Sequence, residues 1–164
     1  MAVNAYKTAA LASLDAMPIV RANPWVHGGN AKHFAGTVEA VTGDGIGSTY
    51  RFFRVGSWMR PIELRLFCDA ITGAAGDLGL YRTPGDGGAL VSAALFASAQ
   101  SVATAITLGT NIRFEQDDIA NAEKRIWELL GLAADPNLEY DVALTLTAAA
   151  TAGGTLALQG AFSW

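Results

Sequence analysis

The stretch PIELRLFCDAI at residues 61–71 sets Ile62, Leu64, Leu66 and Cys68 against Glu63, Arg65, Phe67 and Asp69. Strict alternation puts one apolar and one mostly polar face on an extended chain, the pattern of a half-buried β-strand. The same period of two runs upstream through HFAGTVEAV (33–41) and STYRFFRV (48–55), joined by TGDGIG (42–47), which reads as a hairpin closed by a glycine-rich loop. Downstream, a TGAAG turn leads to DLGLY (77–81), and RTPGDGG (82–88) supplies a second cluster of turn residues. EYDVALTLTAAA (139–150) and TLALQGAFSW (155–164), on either side of TAGG, read as a last hairpin. Residues 89–102, ALVSAALFASAQSV, match neither period, and both helix and strand stay open there.

One helix is expected between Asp117 and Leu130. Asp117 or Asp118 serves as its cap, Ile119, Ala122, Ile126, Leu129 and Leu130 form its apolar stripe, and Gly131 stops it. Lys124 and Glu128 would pair on its outer face, and Trp127 would anchor it against the sheet. Short strands with one late helix predict an all-β protein, a jelly-roll-like β-sandwich over residues 31–164. Residues 1–30 break every regular period with Pro18, Pro24 and Gly28–Gly29, and read as an extended N-terminal arm. Ile19, Val20, Trp25 and Val26 on that arm need a surface to cover, either the body or a neighbouring subunit.

Composition narrows the function. The 164 residues are 51% hydrophobic and 16% charged, with mean hydropathy +0.28, which excludes a disordered chain. A charged fraction so far below the roughly 25% of an ordinary domain suggests that other protein covers part of the surface. The net charge is −4 and the 11 Lys and Arg are scattered, so no nucleic-acid partner is expected. Asp15 interrupts the apolar segment after Lys7, and no run approaches the ~18 residues of a span, so neither membrane nor signal-driven secretion is expected. The single cysteine, Cys68, forms no intramolecular disulfide and is read as a core residue.

Chemistry-bearing motifs are sparse. GDGIG at 43–47 resembles a phosphate-binding loop only in its glycines, since a strand and not a helix follows it. His27 and His33 are the only histidines, too few for a metal site, and Asp117 and Asp118 suit a helix start. No catalytic, cofactor-binding or metal-binding residue is assigned. Trp25 is favoured as an interface anchor, and Ile19, Val20, Trp25, Val26, Trp58 and Trp164 form the candidate interface set.

DLGLYRTPGDGGALVSAALFASAQ (77–100) and EKRIWELLGLAADPNLEYDVALTLTAAATAGGTLALQG (123–160) resemble the capsid decoration, or cement, proteins of tailed bacteriophages. The matching positions are Leu78 to Tyr81, Leu95 to Ser98, Lys124 to Gly131 and Tyr140 to Leu158, about the C-terminal half of the chain. The resemblance implies a jelly-roll domain, often a homotrimer, bound to the major capsid protein on the exterior of the virion, without catalysis or cofactor. The alternative is a carbohydrate- or receptor-binding jelly-roll module of a head fibre or tail, which would need an exposed aromatic cluster. A cupin-type enzyme is a third reading, and would need a histidine cluster on neighbouring strands.

Overall fold

In the computed structural model, which describes residues 17–18 and 30–164, the alternating segments become eight antiparallel strands. They are β1 (Ala31–Ala40), β2 (Thr49–Gly56), β3 (Arg60–Cys68), β4 (Ala75–Arg82), β5 (Leu90–Ser101), β6 (Ile106–Asn111), β7 (Glu139–Ala148) and β8 (Gly154–Ser163). They form two four-stranded sheets, ordered β1-β8-β3-β6 and β2-β7-β4-β5. The pairs β4 with β5, β3 with β6, β2 with β7 and β1 with β8 are nested, innermost to outermost, and fall alternately in the two sheets. β8 with β3 and β7 with β4 complete the sheets. A long hairpin rolled in this way is a jelly roll, as expected.

The nesting overturns two local expectations. β1 and β2 lie in different sheets, as do β7 and β8, so neither pair is a hairpin; β4–β5 is the one consecutive pair that is hydrogen-bonded. The glycine-rich segment 41–48 is instead an arch between sheets, with Gly43 and Gly47 at positive φ where a side chain would be strained. It bonds to the sister arch after β7, Gly43 N–H to Ala150 O and Ala150 N–H to Asp44 O, and to the end of β7 itself, Gly47 N–H to Leu146 O. A turn signal looks alike whether the chain returns to its own sheet or crosses to the facing one.

The core fills from the inner faces. β3 contributes Leu64, Leu66 and Cys68, β8 contributes Leu156, Leu158 and Phe162, β4 contributes Leu78 and Leu80, and β7 contributes Val142, Leu144 and Leu146. Each buried Leu or Phe adds roughly 1.5–3 kcal/mol. Phe34 stacks on Phe53 at 5.4 Å, and Phe162 meets both edge-on, locking β1 and β2 across the open side of the sandwich. Gly160 makes room for that cluster, because a Cβ there would press on the Phe53 and Phe162 rings.

Three further expectations are corrected. Ile62 is 43% exposed, because the β3–β8 register shifts between Pro61 and Glu63 and leaves it as the extra residue of a bulge. Residues 90–101 are strand; between Leu78↔Ala97 and Leu80↔Ser92 the pairing shifts, and that excess of β5 is what blurs the period. The expected helix shrinks to a 3-10 turn, Ile119–Asn121, and one α-helical turn, α1 (Ile126–Leu129). Its first amides are taken by the β2–β3 turn, Ile126 N–H by Met59 O and Trp127 N–H by Ser57 O, which pins the segment to the body. Of the expected stripe, Ile126 is buried and Leu129 and Leu130 are partly buried, while Ile119 is 95% exposed. Lys124 bonds to Asn121 rather than Glu128, and Glu128 accepts from the Arg125 N–H. Asp118 caps the 3-10 turn through Ala120 N–H, as its residue type suggests, while Asp117 pairs with Arg113.

Candidate interaction surface

The outer face of the β1-β8-β3 sheet carries a trough. Its floor is β8, where Ala157, Gln159 and Ala161 present short or flat side chains outward. The walls follow from register: His33 and Glu63 flank Ala161, Ala35 and Arg65 flank Gln159, and Thr37 and Phe67 flank Ala157. A cavity of about 320 Å³ opens at the His33–Ala161–Glu63 end and another of about 230 Å³ at the Phe67–Ala157–Ile106 end. Glu63 and Arg65 pair with each other at 2.6 Å along one wall. At the far end Thr155 is held by both neighbours, its hydroxyl donating to Glu39 and its N–H to Asp69.

A second group of charges lies on the opposite sheet. Asp141 on β7 is nearly buried and receives Arg51 Nη1 at 3.0 Å and Arg54 Nε at 2.8 Å from β2. Arg51 also donates to Arg82 O and Gly88 O, and its guanidinium lies 5.0 Å from the Tyr81 ring centre. With all these bonds directed at the protein itself, the network ties β2 and β7 to the β4–β5 hairpin. Ser57 is a comparable hub: fully buried, it donates to Asp135 and accepts from Leu138 N–H.

Large apolar side chains stand out at the margins. Val41 and Ile46 sit on the β1–β2 arch, and Leu108 projects from β6 where Gly109, at positive φ, lies beneath the Phe67 ring. Ile62, Phe114 and Ile119 belong to the β3 bulge and the segment after β6, which Arg113 ties together by donating to Pro61 O. Exposed apolar side chains of this size are common in protein contacts.

The sequence-derived candidates are dispersed. Ile19, Val20, Trp25 and Val26, with His27, lie outside the described residues. Trp58 is partly buried against the core, its ring packed on Gly56, and Trp164 is partly buried at the end of the chain with Lys32 Nζ 3.9 Å from its ring centre. Trp127 is partly buried with the Arg125 guanidinium 5.4 Å away. Trp58 and Trp127 meet at the β2–β3 turn, where the Trp127 N–H donates to Ser57 O, and all three described tryptophans are partly buried rather than laid open as a platform. His33 is exposed on the trough wall. Cys68 is buried, as expected, with its thiol directed at Thr104 O, and burial pushes its pKa up. Among the described residues no three His, Cys, Asp or Glu side chains converge as a metal-binding group, and no helix is long and apolar enough to cross a membrane. Sequence reasoning missed the trough and the Arg51–Asp141 network, because both arise from pairings between strands far apart in the chain.

No protein-family model matches the chain, and no curated protein matches it. Among solved structures it is similar to a chain of the "Cyanophage Pam1 capsid asymmetric unit", with a TM-score of 0.52 and 15% identity over 82% of this chain and 85% of that one. The two share a fold across most of both chains.

Proposed function

We propose that the chain is a structural virion protein: a capsid decoration, or cement, protein that binds the major capsid protein on the exterior of a phage head, as a homotrimer. The observation that carries this reading is the jelly roll it has in common, over four-fifths of its length, with a chain of a phage capsid asymmetric unit. The resemblance of residues 77–100 and 123–160 to decoration proteins points the same way. So do the low charge and the apolar side chains exposed at the arches and the β6 edge.

The mechanism is mass action. A protein that binds only the assembled shell stabilises that state by RT ln(1 + [L]/Kd) per site, about 2.7 kcal/mol at a hundredfold excess over Kd. Repetition by symmetry multiplies modest contacts into a large total. The contact set proposed is the arm, through Ile19, Val20, Trp25 and Val26, together with Trp58 and Trp164.

Quantitative mass spectrometry of purified virus particles tests the reading through the copy ratio of this chain to the major coat subunit. A ratio of similar order is expected. A ratio far lower would assign the chain to a fibre or tail, and its absence would overturn the virion reading. Deletion of residues 1–26 should leave the jelly roll folded and abolish shell binding or trimerisation; unchanged assembly would remove the arm from the contact set.

A further inference from the structure

The two sheets end in β1, β6, β2 and β5, and three of these four edge strands are interrupted. β2 carries a bulge between Arg51 and Phe53, the pairing of β5 shifts at three places with Ala99 at positive φ, and β6 is six residues long with Gly109 at positive φ. Bulges, kinks and short length keep an edge from pairing with another chain. β1 has none of these. Its ten residues pair with β8 without interruption, it contains no proline, and no described strand pairs with its other edge. β2 lies under it rather than beside it, since a Cβ on Gly36 would fall on Phe52 O. Phe34 and Val38, on the inner face of β1, are only partly buried at this open side of the sandwich.

We infer that the free edge of β1 pairs antiparallel with β1 of a second copy, about a two-fold axis through Gly36. Such an axis stands perpendicular to the sheet and keeps both inner faces on one side, so only residues of the same face can lie opposite each other. Centred on Gly36, the register sets His33 opposite Glu39 twice on the outer face and Phe34 opposite Val38 twice on the inner face. Moving the centre to Ala35 or Thr37 puts Glu39 opposite Ala31 or Ala35 and loses both matches. A donor facing a carboxylate and an aromatic ring facing a β-branched side chain are pairs that favour one register over another. The His33 imidazole has an N–H to donate whether or not it is charged, and its neighbour across Ala161, Glu63, is paired with Arg65. Glu39 accepts from the Thr155 hydroxyl through Oε1, which leaves Oε2 for the second copy. An isologous contact closes at two copies, so it does not build a trimer; on a shell it would join copies in neighbouring trimers. The pairing goes beyond the virion reading without resting on it, being a property of the isolated chain.

Cysteine placement tests the register in full-length protein carrying Cys68→Ser. Ala35 would face Thr37 across the axis, so Ala35→Cys chains mixed with Thr37→Cys chains should crosslink under mild oxidation at least tenfold faster than either variant alone. Equal rates would overturn the inference. Sedimentation gives an independent readout. Glu39→Lys sets a lysine against His33 and should cut the weight-average mass at least twofold, while His33→Glu combined with Glu39→His exchanges the two partners and should restore it. A mass that Glu39→Lys leaves unchanged, or that the exchange fails to restore, would mean that something other than a second copy covers this edge and would refute the pairing. Neither assay involves virus particles, so failure here leaves the copy ratio as a separate test of the virion role.

Discussion

Replacing Asp141 with Asn keeps the shape of the side chain and removes the charge on which two arginines of β2 converge. The Asp141 side chain is 10% exposed, and its carboxylate accepts from Arg51 Nη1 at 3.0 Å and Arg54 Nε at 2.8 Å. A hydrogen bond to a charged group contributes about 1.5–3 kcal/mol when shielded from water. Arg51 meets that condition, since it is under a third exposed and is also fixed by Arg82 O and Gly88 O; the Arg54 side is open to solvent and is left out of the sum. Asp141→Asn should therefore cost about 2 kcal/mol, or roughly 4–8 °C in Tm for a domain of this size. Urea denaturation at fixed protein concentration reads the loss as a lower midpoint with an unchanged m-value. Arg51→Met and the double variant complete a cycle, with a coupling of at least 1 kcal/mol expected. A loss below about 0.5 kcal/mol, or no coupling, would mean that the pair is decorative and that the inner core alone holds β2 to β7.

Two other perturbations test the architecture. Gly79 lies on β4 opposite the excess residues of β5, and a Cβ there would fall well inside van der Waals contact of Ser92 O and Ala93 O. Gly79→Ala should destabilise by about 1–3 kcal/mol as β5 is forced outward, seen as a lower thermal midpoint; an unchanged midpoint would show that the bulge gives way freely. The β1–β2 arch should respond to pH, because Asp44 accepts from the Tyr50 hydroxyl and the Val41 N–H, and these bonds hold its carboxyl below the usual value of 3.8. A lowered folded pKa means that the contribution is present above about pH 4 and is lost as pH falls through the folded value. Burial, reinforced by Asp44, raises the pKa of Tyr50, so a second loss begins as pH climbs beyond 10. In Asp44→Ala the stability curve should flatten at pH 2–5, while the loss at pH 9–11, which rests mainly on burial of Tyr50, should only weaken; an unchanged slope at the acid end would refute the assignment.

The positions of strands were legible where side chains alternate, as in Leu64, Leu66 and Cys68, because the period of two is imposed by burial itself. Partners were not, since a positive-φ glycine such as Gly43 serves an arch and a hairpin equally well. Ile62 and residues 90–101 misled because bulges shift the phase without altering composition. The late helix failed through competition: the Ile126 and Trp127 amides, which a helix running from residue 117 would direct at carbonyls four residues earlier, bond to Met59 and Ser57 instead, which no local propensity encodes. At the surface, His33 was visible in the sequence, but its neighbours Ala161 and Glu63 were not. Arg51 and Asp141 carried no spacing signal, being brought together by the β2–β7 pairing. The fold class could be read from the pattern, whereas the candidate surface is a product of register.

The nesting of the strands also dictates a timetable. During synthesis β4 and β5 can pair as soon as they leave the ribosome, but each outer pair must wait for a later segment, and β1 stays unpaired until β8 has been made. At about 5–20 residues per second, β1, with Phe34 and Val38 of its inner face, spends on the order of ten seconds without its partner. A chain cut anywhere before Gly154 leaves β1 without the strand it pairs with, and its inner-face side chains without their cover. The topology thus makes synthesis of β8 the step that lets the outermost pair of the nest close over the core.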